Sequence, residues 1–513
     1  MFIIDASTTP ENLKTHLLST RPLVLKPDFP PTPISVTSAV KLIKTTIKKQ
    51  QNILIYGDYD VDGVCSATLL WQAIYPQNRN TLPFVPDRHL DGYGFNFNSY
   101  KRFIAEKNFT PDLVITVDNG IVATKEIRKL KKTGLKIIIV DHHLPSPDLP
   151  QVNAIVHSPE VCATALAWFI AKEIDPNSDL GLVALATVAD CLPLTGVNRA
   201  LVVHGLKILK LNPSPGIRQL AKSAGVNLAT LSAYDLGFIL APRINAVGRL
   251  TNPTDALRLL CSQSLPQAGK YTEVLNQQNQ DRQVLQKESF ELAKTLIKSK
   301  NKLIFISEPS FHQGIIGLIA GRLTEKYYLP SIVVSPDGDT AKGSCRSIPE
   351  LNIIDALRQF SDLFVDLGGH AQAAGFTITT ANIPKLEKKL VALVNKTLKD
   401  LVKPATSVDA QMLPSGATLA NCKIIKEFEP FGIGNPEPLF LFKDLEIKSI
   451  RVLGQTGDHL KLKFDTGLDA IGFKQGSLAT KLKVGDAITF IASLSSNTWN
   501  SLTTPQLIIK EII

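Results

Sequence analysis

Three aspartates at alternate positions, Asp58, Asp60 and Asp62, are the first residues of this chain whose spacing suggests chemistry. They follow the apolar run ILIYG at 53–57, which is typical of a buried strand in a parallel sheet, and they precede Gly63 and SATLL, which begin a predicted helix. The three carboxylates are therefore expected on a turn at the carboxyl end of a strand, where open α/β sheets bind ligands. Carboxylates this close repel one another and stay ionised only when a cation compensates them, so the stretch predicts a metal site.

Two other interpretations compete for this stretch. The spacing D-x-D-x-D-G also occurs in the first half of a calcium-binding EF-hand loop, whose twelfth position is a bidentate Glu. That position is Leu69 here, and a strand precedes the loop where a helix is required, which disfavours an EF-hand. A solvated acidic turn stays open for this stretch by itself, and only residues farther along the chain reduce its weight.

Further apolar runs also end in an acid or a histidine. LVITV at 113–117 runs into Asp118, KIIIV at 136–140 runs into Asp141, His142 and His143, and LVALATVADCLPL contains Asp190. Because the carboxyl ends of parallel strands lie on one edge of a sheet, we expect Asp118, His142 and His143 to converge with the three aspartates on one site. Carboxylates with one or two imidazoles suit Mn²⁺ or Mg²⁺ better than Zn²⁺ or Cu²⁺. The carboxylates suffice for two ions about 3.5–4 Å apart, the arrangement that promotes phosphoester hydrolysis.

The elements that position these residues alternate between strand and helix from Lys48 onward. The predicted elements are strands at 53–57, 113–117, 136–140 and 154–156 and helices at 63–75 and 121–132. This alternation indicates an α/β fold with a doubly wound parallel sheet. After Leu194 the pattern becomes helical, and Pro266–Lys300 is predicted as one long helix whose apolar stripe consists of residues 274, 275, 285, 292 and 296.

The C-terminal half contains a second α/β pattern and then short strands. Strand KLIFIS, helix IIGLIAGRLTEKYY and strand PSIVVS follow residue 301, and from Pro404 about five strands separated by Gly, Asp and Asn turns predict a small barrel of the OB-fold type. The predicted divisions are a leader packed on the first domain at 1–47, an α/β domain at 48–200, a helical linker at 201–300, a second α/β domain at 301–398 and a barrel at 399–513.

Composition narrows the class of protein. The chain has 513 residues, 44% hydrophobic and 20% charged, which fits a globular protein of three domains. Its six cysteines form no CxxC pair, which argues against zinc ribbons and disulfide frameworks. No segment resembles a signal peptide or a membrane span, so we expect a cytoplasmic protein. Residues 201–300 carry 13 Lys and Arg against 6 Asp and Glu, a net +7 of the total +10, which suggests a polyanionic partner such as nucleic acid.

The motifs together resemble a known family. GDYDVDG, VDNGI, the DHH triplet at 141–143 and TVADCLPL resemble the four motifs of the DHH phosphoesterase superfamily. The remaining matches resemble its RecJ branch, the single-strand-specific 5′ to 3′ DNA exonucleases. They are VPDRHLDGYG at 85–94, LAPRINAVGRL at 240–250, FHQGIIGLIAGRL at 311–323, KGSCRS at 342–347, GGHAQAAG at 368–375 and EPFGIGNPEP at 429–438. The loop after AIVHSPE is shorter than in that branch.

This resemblance implies roles for the converging residues. Asp60 and Asp118 are expected to hold one Mn²⁺ or Mg²⁺ ion. Asp62, Asp118, His142 and Asp190 are expected to hold a second. Asp58 is expected to be a ligand or to support one, and His143 to contact the scissile phosphate. Asp141 is expected to orient the histidine pair, with a strand-end cap as the alternative.

The resemblance also implies a second set of residues that bind nucleic-acid phosphates, including a 5′-terminal phosphate. These are Arg88, Arg243, Asn245, Arg249, Ser344, Arg346 and His370, the last three on the KGSCRS and GGHAQAAG turns. For any single arginine a structural ion pair remains open. In the barrel, Lys461, Lys463 and Trp499 are expected to follow a strand and stack a base.

The implied fold is a DHH domain, a long connecting helix, a DHH-associated domain and an OB-fold barrel. The implied activity is metal-dependent 5′ to 3′ degradation of single-stranded DNA to mononucleotides in DNA repair and recombination. Two alternatives stay open: a DHH phosphodiesterase of short oligonucleotides or cyclic dinucleotides, and a non-catalytic single-strand-binding scaffold. We expect a monomer that binds no membrane, with a single-strand-binding protein and a helicase as candidate partners.

Overall fold

The computed structural model describes residues 2–30, 32, 34–92, 94–298, 300–399, 404–454 and 456–513, except for the side chain of His89. The chain forms two compact units. The first comprises Met1–Pro86, Tyr93–Ala241 and Thr406–Ile513, and the second comprises Asp87–Gly92 and Pro242–Ala405. Each unit is built around sheets of its own.

The N-terminal part contains the elements that precede and form the first sheet. They are β1 Ile3–Ile4, α1 Pro10–Thr20, α2 Thr37–Lys48, β2 Ile53–Tyr56, α3 Val61–Ile74, β3 Thr81–Phe84, α4 Arg88–Asp91, α5 Phe97–Lys107, β4 Leu113–Val117, α6 Thr124–Lys131, β5 Lys136–Asp141 and β6 Ala154–His157. Of these, only α4 belongs to the second unit.

The predicted parallel sheet is confirmed. Its order is β3-β2-β4-β5-β6, and every neighbouring pair is parallel. All residues of β2 and β4 are buried, as expected for strands covered on both faces. The sequence analysis missed β3, because Pro83 interrupts its pattern. A proline is tolerated there since β3 is an edge strand.

A helical segment follows the first sheet. It contains α7 Ala163–Ala171, α8 Leu180–Ala189, α9 Gly196–Leu211, α10 Pro215–Ser223, a π-helix at Asp235–Leu240, α11 Ala241–Leu250, α12 Thr254–Leu260 and α13 Leu265–Thr295. Among the described residues no helix combines the length and the apolar character that a membrane span requires.

The long helix is present as α13, but the apolar stripe predicted for it was wrong. Of its five predicted positions only Leu275 is buried, while Val274 and Leu292 are exposed. The buried residues of α13 are instead small or polar at most positions, namely Ala268, Thr272, Leu275, Asn279, Ser289, Phe290 and Ala293. A pattern that counts only large apolar residues cannot detect a helix face of this composition.

The second unit contains a mixed sheet with helices around it. Its elements are β7 Ile304–Ser307, α14 Ile316–Tyr327, β8 Ser331–Asp337, β9 Thr340–Arg346, α15 Ile353–Arg358, β10 Phe364–His370, β11 Ala373–Thr379 and α16 Ile383–Thr397. The order is β10-β11-β9-β8-β7, with only β7 and β8 parallel. KGSCRS therefore lies on strand β9 rather than on a turn, and GGHAQAAG forms the hairpin of β10 and β11.

The C-terminal residues form a closed barrel. The elements are β12 Ala410–Met412, α17 Leu419–Glu427, β13 Phe440–Leu453, β14 His459–Phe464, β15 Asp469–Gly472, β16 Ala487–Trp499 and β17 Leu502–Ile512. The order β13-β14-β15-β17-β16 closes through pairing of β13 with β16, which confirms the five-stranded barrel. Short 3₁₀ turns occur at Leu228–Thr230, Ser361–Leu363, Thr380–Asn382, Pro414–Gly416 and Gly476–Thr480.

The prediction that the leader packs on the first domain was wrong for its first part. β1 pairs in parallel with β12, and Ile4, Leu13 and Leu17 are fully buried in the core of the barrel region. The start of the chain thus completes the C-terminal domain. Pairing between strands about 400 residues apart leaves no local signal in the sequence, because it satisfies backbone groups that every residue carries.

One buried arginine connects three parts of the first unit. Arg199 on α9 is 1% exposed, and its guanidinium donates to the main-chain carbonyl oxygens of Val24 at 3.0 Å, Phe428 at 3.1 Å and Glu429 at 2.8 Å. Carbonyl oxygens provide the negative ends of dipoles without a carboxylate, which compensates a buried cation that cannot be deprotonated. Arg199 therefore fixes the N-terminal segment and the 428–429 loop to α9.

We expect Arg199→Met to lower the free energy of unfolding of the first unit by about 3 kcal/mol, because three carbonyl groups lose a charged donor. The measurement is urea-induced unfolding followed by circular dichroism. Lys207→Met, at an exposed position of the same helix, is the matched control. Equal unfolding midpoints for the two variants would contradict this role.

Candidate metal centre

The loop between β2 and α3 presents the first three aspartates in different ways. Asp60 is the N-cap of α3, and its side chain accepts from the amide of Gly63 at 3.0 Å. A Cβ atom on Gly63 would lie 2.4 Å from the amide nitrogen of Asp58, so only glycine allows α3 to begin this close to the loop. Asp62 lies in the first turn of the helix rather than on the turn that the sequence analysis expected.

Asp62 is held by the start of another helix. Its Oδ2 accepts from the amide of Ala163 at 2.7 Å, and its Oδ1 accepts from the amide of Thr164 at 2.8 Å and from the Thr164 hydroxyl at 2.5 Å. The N-terminal amides of α7 favour a negative charge, so they stabilise the ionised carboxylate and fix its orientation. Sequence analysis did not identify these two residues, because a positioning contact between distant segments has no motif.

Asp118 follows β4 in a strained backbone conformation. Its φ is 62°, in the left-handed region that non-glycine residues rarely adopt, and such outliers are concentrated at functional sites. The side chain is buried, and its Oδ1 has no hydrogen-bond partner among the described residues. Burial, followed by the negative charges of the surrounding aspartates, raises the pKa of Asp118 well above its usual range. Those aspartates are Asp62, Asp60, Asp58 and Asp190.

Asp141, the last residue of β5, organises the histidine pair. Its Oδ1 accepts from the amides of His142 at 2.8 Å and His143 at 3.1 Å and lies 2.8 Å from His143 Nδ1. Its Oδ2 accepts from the amide of Ile121 at 2.9 Å. Burial favours the neutral acid, but the hydrogen bond with His143 and the charge of that ring outweigh it and lower the pKa of Asp141. An ionised Asp141 orients the His143 ring and holds the backbone of both histidines.

His142 lies where the remaining acids meet. Its Nε2 is 3.2 Å from Asp118 Oδ1, 3.7 Å from Asp62 Oδ2 and 3.7 Å from Asp190 Oδ2. Asp190 reaches this position from the C-cap of α8, so it follows a helix and not a strand. Burial lowers the pKa of His142, which leaves a neutral imidazole that can serve as a ligand.

The structure brings together two groups of possible ligands. The groups are Asp118, His142 and His143, and Asp62, His142 and Asp190, and within each group the ligand atoms lie within 4.8 Å of one another. Asp58 and Asp60 belong to neither group, although their charges act on Asp118. Crowded carboxylates, a buried carboxylate oxygen that accepts no hydrogen bond and a neutral imidazole are the groups that suit a hard divalent cation. The residues therefore fit Mn²⁺ or Mg²⁺.

Two hollows lie in the first unit beside this centre. One of about 540 Å³ is lined by His143, Asp141, Asn119 and Gly120 among others. The other, of about 700 Å³, is lined by Cys191, Tyr234 and Phe238 among others. These two rings stack at 4.9 Å between centroids and are 63% and 72% exposed. Sequence analysis missed this aromatic pair, whose spacing of four residues on a helical turn was the available signal.

The predicted phosphate-binding residues lie in the second unit. Arg346 donates to Ser344 Oγ at 3.4 Å and to the carbonyl of Cys345 at 2.8 Å, and the positive charge of Arg88 acts on it. Arg249 donates to the carbonyl of Gly314 at 3.4 Å, and Arg243 donates to Asn276. Asn245 lies on α11, and His370 is exposed at the end of β10.

The three barrel residues that are expected to contact a strand differ in their ion pairing and in their exposure. Lys461 forms an ion pair with Asp469 at 3.0 Å, so part of its charge is already compensated. Lys463 is exposed, and Trp499 is 75% exposed at the end of β16. Of the three, Trp499 has the accessible ring that base stacking requires.

Comparison with known proteins agrees with this fold. Three family models match: DHH family, N-terminal domain, at residues 52–192; DHHA1 domain at 300–400; and RecJ OB domain at 408–511. The single-stranded-DNA-specific exonuclease RecJ of Thermus thermophilus is 32% identical over 90% of this chain and 68% of its own length. The chain belongs to the RecJ family. The RecJ exonuclease of Bacillus subtilis is also 32% identical, over 92% of this chain.

A solved RecJ structure is similar across almost the whole chain. The crystal structure of Thermus thermophilus RecJ in complex with Mn²⁺ matches with a TM-score of 0.86 and 27% identity, covering 99% of this chain and 77% of that one. A complex of the same protein with Mg²⁺ matches with a TM-score of 0.79. This RecJ-family chain spans 62% of the length of the Bacillus subtilis relative.

We expect the metal-free protein to lose thermal stability as the pH rises from about 6.5 to about 9. Burial and the charges of Asp62 and Asp60 raise the pKa of Asp190 to about 8. Burial lowers the pKa of His143, but its hydrogen bond to Asp141 and the nearby acids outweigh this and raise it to about 9. Both groups hold protons in the folded protein that the unfolded chain has largely released, so stability falls as these protons are lost.

The measurement is the melting temperature in chelator at both ends of this pH range. Asp190→Asn removes one of the two protons and is expected to show a smaller fall, and added Mn²⁺ is expected to raise the melting temperature most at the alkaline end. A wild-type melting temperature that stays constant or rises toward alkaline pH would contradict these protonation states.

Proposed function

We propose that this RecJ-family chain is a metal-dependent exonuclease that degrades single-stranded DNA from its 5′ end to mononucleotides, in DNA repair and recombination. The observation that carries the proposal is the meeting of His142 with Asp62, Asp118 and Asp190 at the buried Asp118 Oδ1, which accepts no hydrogen bond from the described residues. The relatives named single-stranded-DNA-specific exonucleases support the substrate and the reaction.

Within this proposal the first unit holds two Mn²⁺ or Mg²⁺ ions. Asp118 is the shared ligand, with Asp60 on one side. Asp62, His142 and Asp190 are on the other. Asp58 supports the group or joins it. Ions held by these residues would supply activation of water and neutralisation of the charge that develops during phosphodiester hydrolysis. The chain contributes by holding its carboxylates in place, since α7 fixes Asp62 and the left-handed backbone fixes Asp118.

His143 is proposed to contact the scissile phosphate. It borders the hollow of about 540 Å³, and Asp141 orients its ring through a contact with Nδ1. Asp141 is a positioning residue, because it acts through the ring that it orients. Asp118, His143 and Asp58 are the proposed catalytic residues.

The second unit and the aromatic surfaces are proposed to hold the strand. Guanidinium groups suit phosphate oxygens, and exposed rings stack bases without regard to sequence. The proposed phosphate contacts are Arg88, Arg243, Asn245, Arg249, Ser344, Arg346 and His370. Tyr234 and Phe238 in the first unit and Trp499 on the barrel are the proposed stacking residues.

The surroundings in which the enzyme works are also part of the proposal. We propose that it acts in the cytoplasm as a monomer, with a single-strand-binding protein and a helicase as partners that supply and unwind its substrate. The DNA-directed relatives and the barrel support a nucleic-acid setting.

We expect Asp118→Ala to abolish Mn²⁺-dependent cleavage, by at least about a thousandfold, while single-stranded DNA binding in chelator is kept. Digestion of single strands labelled at the 5′ or the 3′ end, with Mn²⁺, Mg²⁺ or chelator, measures activity and direction. Asp339→Ala, which removes an exposed carboxylate from the turn between β8 and β9, is the matched control.

The same assay separates the alternatives. Rapid release of mononucleotides from the 5′ end supports the proposal. Cleavage of a dinucleotide but not of a long strand would indicate a phosphodiesterase of short substrates, and strand binding without cleavage under all metal conditions would indicate a non-catalytic scaffold.

A further inference from the structure

Amide side chains on one face of helix α13 hold two arginines of the second unit, one on α13 itself and one on α11. Arg282 on this helix donates from its terminal nitrogens to Asn279 Oδ1 and to Gln286 Oε1, each at 2.9 Å. Arg243 on α11 donates from Nε to Asn276 Oδ1, also at 2.9 Å. The amides at 276, 279 and 286 share one side of α13, so they hold the two guanidinium groups near each other.

These contacts hold Arg282 without neutralising its charge. Amide oxygens carry no net charge, and within the described part of the chain Arg282 forms no ion pair with Asp or Glu. Its Nε is buried and has no hydrogen-bond partner there. Burial, and then the positive charge of Arg243, lower the pKa of Arg282, although a guanidinium stays protonated under physiological conditions.

We propose that Arg282, together with Arg243, forms a phosphate-binding site on α13 for a phosphate group of a single-stranded nucleic acid. A partly buried guanidinium whose partners among the described residues are neutral amides is costly until an anion compensates it, and its unsatisfied Nε–H donor matches a phosphate oxygen in geometry and charge. Arg282 belongs to none of the motifs that suggested the other phosphate contacts.

The source of the phosphate is a 5′-terminal monoester or an internal diester of the strand. The choice of nucleic acid rests on the proposed function, whereas the need for an anion rests on the neutral contacts of Arg282 and the nearby positive charge of Arg243. A purely structural Arg282 would stabilise the folded protein through its two amide contacts. An anion-binding Arg282 costs stability when no anion is present, because it faces a second positive charge.

The test compares Arg282→Gln with Lys287→Gln, which removes an exposed positive charge from the same helix. Binding of fluorescent single-stranded oligonucleotides with a 5′-phosphate or a 5′-hydroxyl is measured by anisotropy in chelator at several salt concentrations. For Arg282→Gln we expect affinity to fall about tenfold or more and the salt slope of log K to decrease by about 0.7. Lys287→Gln is expected to bind like the wild type. Arg282→Lys is expected to restore the salt slope, because it keeps the charge.

Melting temperature supplies a second, DNA-independent measurement. Without added anion, Arg282→Gln is expected to melt at the same temperature as the wild type or higher. Inorganic tripolyphosphate is expected to raise the melting temperature of the wild type and of Lys287→Gln more than that of Arg282→Gln. A lower melting temperature of Arg282→Gln without anion indicates a structural residue and overturns the proposal, as does an equal response of all proteins to tripolyphosphate.

The two oligonucleotides identify the source of the phosphate. A loss of affinity confined to the 5′-phosphorylated strand assigns the site to the terminal phosphate, and an equal loss for both strands assigns it to an internal phosphate. If Arg282→Gln and Lys287→Gln bind alike, the proposal is wrong while the proposed function stands. If the wild type neither binds nor cleaves single strands, the proposed function fails, and the tripolyphosphate measurement still decides whether Arg282 binds an anion.

Discussion

Repulsion among carboxylates is the constraint around which the first unit is arranged. Asp118 is buried with one oxygen unpartnered, and the charges of four other aspartates act on it. Without a counter-ion such a group favours protonation, while separate contacts stabilise the negative charges of other acids in the cluster. The amides of α7 do so for Asp62, and His143 and three main-chain amides do so for Asp141. The scaffold thus keeps the acids close at a cost in stability, which a divalent cation offsets.

The two units gather charged residues of opposite sign. The first gathers acids whose negative charges raise the pKa of Asp118, and the second gathers arginines whose positive charges act on one another. Phosphate oxygens bind metal ions and guanidinium groups alike. Helix α13 also has an unusual composition on its buried side. The buried side of α13 consists largely of small and polar residues, which leaves room for side-chain amides to contact arginines.

The C-terminal barrel depends on residues from the opposite end of the chain. β1 extends the sheet that contains the barrel, and Leu13 and Leu17 of α1 fill its core. Arg199 then links this region to α9 through main-chain carbonyls at Val24, Phe428 and Glu429. A domain defined by a contiguous stretch of sequence would omit its own N-terminal strand. The physical reason is that an unpaired strand edge accepts any backbone that reaches it, wherever that backbone lies in the sequence.

The sequence by itself determined the features that local chemistry encodes: buried strands that end in acids, a DHH triplet after the third predicted strand, and a C-terminal barrel of five strands. The spacing and the types of the residues are enough to predict these features. An apolar run indicates a buried segment, and a polar residue after it indicates where that segment ends. Tertiary structure alone decided which carboxylates meet His142 and which of them remain outside the two ligand groups. It also placed Asp190 on a helix end, held Asp62 with the amides of α7 and set Arg282 beside a second cation. Each of these placements depends on distances between segments that are far apart in the chain. Electrostatic and hydrogen-bond energies depend on those distances, and no local sequence pattern contains them.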